Sequence, residues 1–330
     1  MEHNARGWAK WLAVIILAGA PFLVYSNTFK NPFVADDIDY IARSHDVIKY
    51  SFPECLGKLR PLTKLTYHLN RTINKGRMPG YHLVNISLHA GACVLLFFLF
   101  RRLLEGKNGT AAAFAGALLF AVHPIHTQAV NYLFARSELL CAVFLFSALL
   151  LHAKPGPRYG YGRGTAVAVL LLLALASKER AFMFVPALVL FDIIVRRDDT
   201  WPQRYRRWLK VAVPLSIVVL LGLVNFYLGF KDQHQGAIGE GQEVPELFPY
   251  FLTEMVVRFH YLKLYLWPAD LSFDYLFTLR TSFTDAVLLA AVAGHLAIFG
   301  LALYLARRAP LVSFGIFWFF LLLLPTSGVV

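Results

Sequence analysis

Residues 81–100 read YHLVNISLHAGACVLLFFLF, twenty positions without an Asp, Glu, Lys or Arg. A helix crossing the ~30 Å hydrocarbon core of a bilayer needs about 20 predominantly apolar residues at ~1.5 Å each. The stretch therefore reads as a membrane span. Outward from it the pattern recurs at Trp8–Tyr25, Ala111–Val122, Leu139–Leu151, Thr165–Ala176, Ala181–Val195, Val211–Phe230, Ala286–Ala306 and Pro310–Leu324. An all-α polytopic membrane protein of about nine spans is expected. Composition agrees: 58% of the 330 residues are hydrophobic and only 16% charged. Soluble domains run at roughly 45–50% apolar and about 25% charged. A soluble enzyme, a disordered chain and a disulfide-stapled secreted module are excluded. The three cysteines, Cys55, Cys93 and Cys141, show no redox or metal-ligand spacing.

The first run has the look of a secretory signal, and Ala18-Gly19-Ala20 imitates a cleavage site. Pro21 directly after it argues for an uncleaved anchor. The formal net charge of +12 raises the question of nucleic acid, and the placement of the charges answers it. With the N-terminus cytoplasmic, the cytoplasmic segments hold sixteen of the 32 basic residues but five of the 20 acidic ones. These include Arg101, Arg102, Arg196, Arg197, Arg204, Arg206, Arg207, Arg307 and Arg308. The excess lies on one side, as the positive-inside rule requires, and a nucleic-acid partner loses its basis.

Two long segments then fall outside the cytoplasm, 26–80 and 231–285. The second contains Leu247–Trp267, with Glu254 and Arg258 four apart among Phe, Leu, Val and Tyr, which suits a helix lying at the interface. Thr165–Ala176 and Ala181–Val195 flank Ser177-Lys178-Glu179-Arg180. A twelve-residue arm reaches only about 18 Å, so their turn is expected inside the outer half of the bilayer. Ala111–Val122 is equally short and runs into His123-Pro124-Ile125-His126-Thr127-Gln128. Polar clusters at that depth must line a protein-walled or water-filled cavity.

Four groups carry chemistry. Asp36-Asp37 stands about ten residues after the first span. It reads as a general base or metal ligand at the outer surface, or as a helix N-cap. Lys178, Glu179 and Arg180 read as a site for a lipid phosphate, with Glu179 holding one of the cations in place, or as snorkelling side chains at a hairpin turn. His123, His126 and Gln128 stand near Asn131, Arg136 and Glu138, and the i,i+3 spacing places both histidines on one helix face. A zinc site wants a further ligand, so no metal is expected there, and a sugar, phosphate or carboxylate is the better partner. Arg60 is placed to meet a carboxylate or phosphate; His82 lies near the outer end of the second span and His89 deeper. The segment 267–275, with Trp267, Phe273 and Tyr275, reads as a cavity roof or an interfacial belt. Pro155-Gly156-Pro157-Arg158-Tyr159-Gly160 is a cytoplasmic turn.

In order along the chain stand Val34-Ala35-Asp36-Asp37, Arg60-Pro61-Leu62, Gly80-Tyr81-His82-Leu83-Val84-Asn85, Ala121-Val122-His123-Pro124-Ile125-His126-Thr127-Gln128, Arg136-Ser137-Glu138 and Lys178-Glu179. Together they resemble the membrane domain of the transmembrane and tetratricopeptide-repeat-containing proteins, of the GT-C superfamily of glycosyltransferases. The resemblance covers nearly all of 1–330. It implies O-mannosyl transfer, with inversion, from a polyprenyl or dolichyl phosphate sugar to a protein or glycan acceptor. An acidic residue of the first external loop is then the base, here Asp36 or Asp37. Lys178, Arg180, Arg136 and Arg60 are expected at the donor phosphate, and His123, His126, Gln128, Glu138, Glu179 and His82 around the cavity. No resident cofactor is expected. The membrane is the bacterial inner membrane or that of the endoplasmic reticulum, with the site on the outer or lumenal face. The family often has Glu where Gln128 stands here, and continues into repeats; none is present, and they are expected beyond Val330. A transporter for a lipid-linked saccharide and a non-catalytic scaffold are the competing classes.

Overall fold

The computed structural model describes residues 2–44, 47, 59–104, 106, 108–154, 159–234, 247–282 and 284–326 of the chain. Cys55, the turn at 155–158, Glu105, Lys107, the middle of the second long loop (235–246) and the last four residues lie outside them. Every regular element among the described residues is helical, so the all-α expectation holds.

Twelve α-helices are introduced in chain order. They are α1 (Glu2–Val24), α2 (Pro61–Asn74), α3 (Met78–Leu103), α4 (Gly109–Val122), α5 (Thr127–Asn131), α6 (Arg136–His152), α7 (Tyr161–Ser177), α8 (Phe184–Ile194), α9 (Trp201–His234), α10 (Leu247–Leu266), α11 (Ala286–Arg308) and α12 (Pro310–Leu323). Prolines open α2, α3 and α12, where the missing N–H costs no intrahelical bond. Asp285 caps α11 by accepting from the N–H groups of Val287 and Leu288. Arg101 and Arg102 end α3, and Arg307 and Arg308 end α11, where positive charge complements the helix dipole.

The chain divides into two compact units, one of residues 1–182 and 209–235, the other of 183–208 and 236–330. In the first, α6 packs on α3 and α7, and α3 also packs on α1 and α4. Ala113, Ala117 and Ala121 form a fully buried stripe on α4, one residue per turn, against Ala13 and Leu17 of α1 and Cys93 and Phe97 of α3. Small residues at that spacing let helix backbones approach closely. Gly164 of α7 does the same against α9: a Cβ there would stand 2.1 Å from the Lys210 carbonyl oxygen.

In the second unit, α8 packs on α12 and α10 on α11. Buried Asp192 of α8 accepts from Arg207 Nη1 at 2.9 Å and from Trp208 Nε1 at 3.0 Å. Arg204 Nη2 donates to the carbonyls of Arg196 and Arg197 just beyond α8. The basic stretch 196–210 lies outside the apolar runs, yet from Trp201 onward it is helix. Hydropathy marks where a helix enters lipid, not where it begins; Arg and Lys extend a helix well.

Among the described residues, three helices are long and apolar enough to cross a membrane: Met78–Leu103, Leu133–His152 and Ala286–Arg308. A fourth span arises if Gly109–Val122 and Pro124–Asn131, bent by 47°, are taken together. Length and composition thus support three or four of the nine expected spans among the described residues. Several apolar runs, such as the eleven residues of α8 and fourteen of α12, form real helices shorter than the bilayer core.

Candidate functional site

All the residues of this site belong to the first unit. The chain after α1 makes a short 3-10 turn, Ser26–Lys30, and then reaches Ala35, whose φ of 46° lies in the left-handed region. A non-glycine residue pays about 1–2 kcal/mol to sit there, so neighbouring contacts must hold it. Asp37 supplies them. Its Oδ1 accepts from the Phe134 N–H at 2.7 Å and its Oδ2 from the Val34 N–H at 3.3 Å. The residue is fully buried, and burial pushes its carboxyl above the ordinary value despite these amide donors. It makes no side-chain bond to the turn of Ile38–Ala42 that follows, so the N-cap reading does not describe it.

Asp36 is different. It is exposed, and its Oδ2 accepts from the Tyr132 hydroxyl at 2.7 Å. Burial, then the bond to Asp36, push the Tyr132 hydroxyl upward, so Tyr132 remains a proton donor. One carboxylate of the pair thus builds the loop while the other faces outward with one oxygen held.

Arg60 also has a left-handed φ, 53°, and directly precedes α2. Its Nε and Nη2 donate to Glu179 Oε2 and Oε1 at 2.8 and 2.7 Å, a bidentate pair between chain segments 119 residues apart. Thr63 Oγ1 fastens α2 beside it by donating to the Ser177 carbonyl at 3.0 Å. Burial alone would raise the Glu179 carboxyl; the bonds and charge of Arg60, helped by Lys178, override it and hold the group at about 2. Lys178 Nζ meets Glu138 Oε1 at 2.9 Å. Glu179 therefore holds Arg60, not Lys178 or Arg180 as expected. Sequence distance hid that partner. Arg180, half-buried in the turn Glu179–Met183, makes no ion pair among the described residues.

The segment 132–138 joins these parts. Tyr132 bonds Asp36, and the Phe134 N–H bonds Asp37, while the Phe134 ring lies 5.7 Å from the Arg60 guanidinium carbon. Glu138, in the first turn of α6, meets Lys178.

Arg136, in the middle of that segment, corrects an expectation. It is 0% exposed, and each of its three guanidinium nitrogens already donates: Nε to Asn85 Oδ1 at 2.8 Å, Nη2 to Asn70 Oδ1 at 2.9 Å and the Tyr81 carbonyl at 3.1 Å, Nη1 to the Thr66 carbonyl at 3.3 Å. The guanidinium also stacks against Tyr67, at 4.6 Å, and Tyr81, at 5.5 Å. It is the pin that joins α2, α3 and α6, not a ligand for phosphate. A buried guanidinium with neutral acceptors and aromatic faces is stable only when every donor is satisfied.

The histidines serve the local fold. His123 Nδ1 accepts from the Ile125 N–H at 3.2 Å, capping the turn Pro124–His126 where α4 ends. The bend between α4 and α5 removes the single helix face on which both histidines were expected. The His126 ring lies 4.2 Å from Phe120 and 5.2 Å from His89. His82 Nε2 lies 3.2 Å from the Asn31 carbonyl, which ties α3 to the chain leaving α1. Gln128 is exposed at the surface of α5. Among the described residues no three His, Cys, Asp or Glu side chains are grouped to hold a metal ion.

Sequence reasoning missed Tyr132, Asn70 and Tyr67. Tyr132 carries no pattern of its own, and only its contact with Asp36 marks it. Tyr67 donates its hydroxyl to the Leu133 carbonyl at 2.7 Å, fixing the same segment from below.

Comparison with known proteins agrees with the motif reading. The chain is 30% identical over 174 residues to protein O-mannosyl-transferase TMTC4 of Homo sapiens, covering 44% of this chain and 23% of that protein. It is 36% identical over 171 residues to protein O-mannosyl-transferase TMTC3 of Mus musculus, covering 49% and 18%. It is 39% identical over 112 residues to protein O-mannosyl-transferase Tmtc3 of Drosophila melanogaster, covering 29% and 12%. The chain spans about a fifth of the length of the curated relatives it matches. No family model and no solved structure matches it. The resemblance to the transmembrane and tetratricopeptide-repeat-containing proteins thus holds over the matched part of the chain, less than half of its length in each of these comparisons.

Proposed function

We propose that this membrane protein is a glycosyltransferase that moves a hexose, mannose by analogy with its relatives' names, from a polyprenyl monophosphate donor to a hydroxyl acceptor on the non-cytoplasmic face. The observation that carries the proposal is the division of labour between two adjacent carboxylates, Asp37 buried and bonded to backbone amides, Asp36 exposed beside Tyr132. Asp36 takes the proton of a serine or threonine hydroxyl. The oxygen attacks the anomeric carbon from the face opposite the phosphate, with inversion. The bond from that carbon to the phosphate oxygen breaks, and its electron pair leaves with the polyprenyl phosphate. Lys178 and Arg180 stabilise the departing charge, as preorganised cations do in a site shielded from water. Arg60 acts indirectly, holding Glu179 and hence the turn on which Lys178 and Arg180 stand. No step requires a metal ion.

The test is transfer by protein reconstituted in lipid, supplied with radiolabelled polyprenyl-phosphate mannose or glucose and a serine/threonine peptide. Loss of transfer in Asp36→Asn with donor binding retained supports the reading. Unchanged transfer in Asp36→Asn refutes it, and transport of intact donor without transfer makes the protein a carrier.

A further inference from the structure

Lys178 and Arg60 each face a carboxylate, Glu138 and Glu179, and the four groups form a cluster with no net charge. A phosphate gains little from such a cluster while both carboxylates stay in place. The two pairs are not equivalent. Arg60 and Glu179 are joined by two parallel bonds, the arrangement in which guanidinium–carboxylate pairs are strongest. Lys178 and Glu138 share a single contact of 2.9 Å, and the Glu138 side chain is 43% exposed while Lys178 is 9% exposed. Glu138 also stands in the first turn of α6, where unpaired N–H groups favour a carboxylate whether or not Lys178 is its partner.

We propose that Glu138 is a resident counter-ion for Lys178 which an incoming phosphate monoester displaces, so that Glu138 sets the donor affinity of the site. The inference rests on the reading of Lys178 as the donor-phosphate ligand. Glu138 neutralises a lysine that would otherwise be buried and unpaired, the costly arrangement for a charge in a membrane protein. When the phosphate arrives, Lys178 exchanges one oxyanion for another, and Glu138 turns to water without losing the helix dipole. Glu179 stays with Arg60, because breaking that pair would leave a part-buried guanidinium unmatched. Glu138 is thus a positioning and affinity-setting residue, distinct from the groups that touch the sugar.

Binding is measured with a fluorescent polyprenyl-phosphate mannose on the whole protein in nanodiscs, comparing wild type, Glu138→Gln, Glu179→Gln and Lys178→Gln. Glu138→Gln keeps shape and hydrogen bonding but removes the competing charge. Its affinity is expected to rise about fivefold, the upper end for an ion pair with one exposed partner. Glu179→Gln is expected to weaken binding, and polyprenyl phosphate without sugar should gain affinity in Glu138→Gln by the same factor. Thermal unfolding of each variant, with and without ligand, separates loss of fold from loss of binding. Unchanged or weaker binding by a folded Glu138→Gln, beside normal binding by wild type, overturns the inference alone. Equal binding by wild type and folded Lys178→Gln overturns the donor-phosphate reading and this inference with it.

Discussion

Replacing Asp36 and Asp37 one at a time with Asn should separate chemistry from folding within one dipeptide. Asp37 accepts from the Phe134 and Val34 N–H groups, one on each carboxylate oxygen, and is fully buried. In Asp37→Asn one of those oxygens becomes an NH2, which turns a donor toward a donor. A buried donor left unmade costs about 1–3 kcal/mol, and loss of the charge weakens the bond that survives. Strain at Ala35 (φ 46°) then has less to hold it. A loss of roughly 2–4 kcal/mol is therefore expected, which in a domain of this size lowers the melting temperature by several degrees. Asp36 is exposed and has one hydroxyl partner, so Asp36→Asn should change stability by no more than about 0.5 kcal/mol. Its transfer rate should instead fall by about 10²–10⁴, the usual worth of a positioned general base. The assay pairs thermal unfolding in detergent with radiolabelled transfer in liposomes. A destabilised Asp36→Asn beside a stable but inactive Asp37→Asn would refute the assignment, because it would place the base on the buried residue.

The remaining predictions concern the groups around this pair. Tyr132→Phe removes the hydroxyl bonded to Asp36, and transfer should slow by about three- to tenfold with donor affinity unchanged, read as a kcat effect by varying donor. Arg136→Lys cannot reproduce the four bonds or the stacking between Tyr67 and Tyr81, and should cost about 3 kcal/mol or more in thermal unfolding. Because Glu179 is held near 2 when folded, against an ordinary 4.5, its pairing with Arg60 stabilises the protein above about pH 4.5, and that contribution is lost as pH falls towards 2. Glu179→Gln should therefore be less stable than wild type at pH 6 and approach it near pH 2–3, as measured by the acid branch of the unfolding midpoint.

Much of this was written in the linear pattern. Apolar runs such as Tyr81–Phe100 and Thr165–Ala176 become helices because a backbone in lipid must satisfy its own hydrogen bonds, and sequence alone shows where they lie. The bend at His123-Pro124 was missed when both histidines were placed on one helix face, although Pro124 cannot continue the ladder of α4. Asp36-Asp37 and Lys178-Glu179-Arg180 stood out as candidates too, since charge beside a span has few uses. What sequence could not decide was partnership. Asp36 and Asp37 are neighbours of identical composition; only the fold, by placing the Phe134 amide against one and the Tyr132 hydroxyl against the other, gives them different roles. Arg136 was expected at the donor phosphate, until Asn70, Asn85 and the Tyr81 carbonyl proved to surround it. Glu179 was assigned to its chain neighbours and instead binds Arg60, 119 residues away. Hydrophobic periodicity is a local property, fixed by how each residue meets lipid or water. The state of a buried charge is set by whatever the tertiary structure brings within about 3 Å, and no local pattern encodes that.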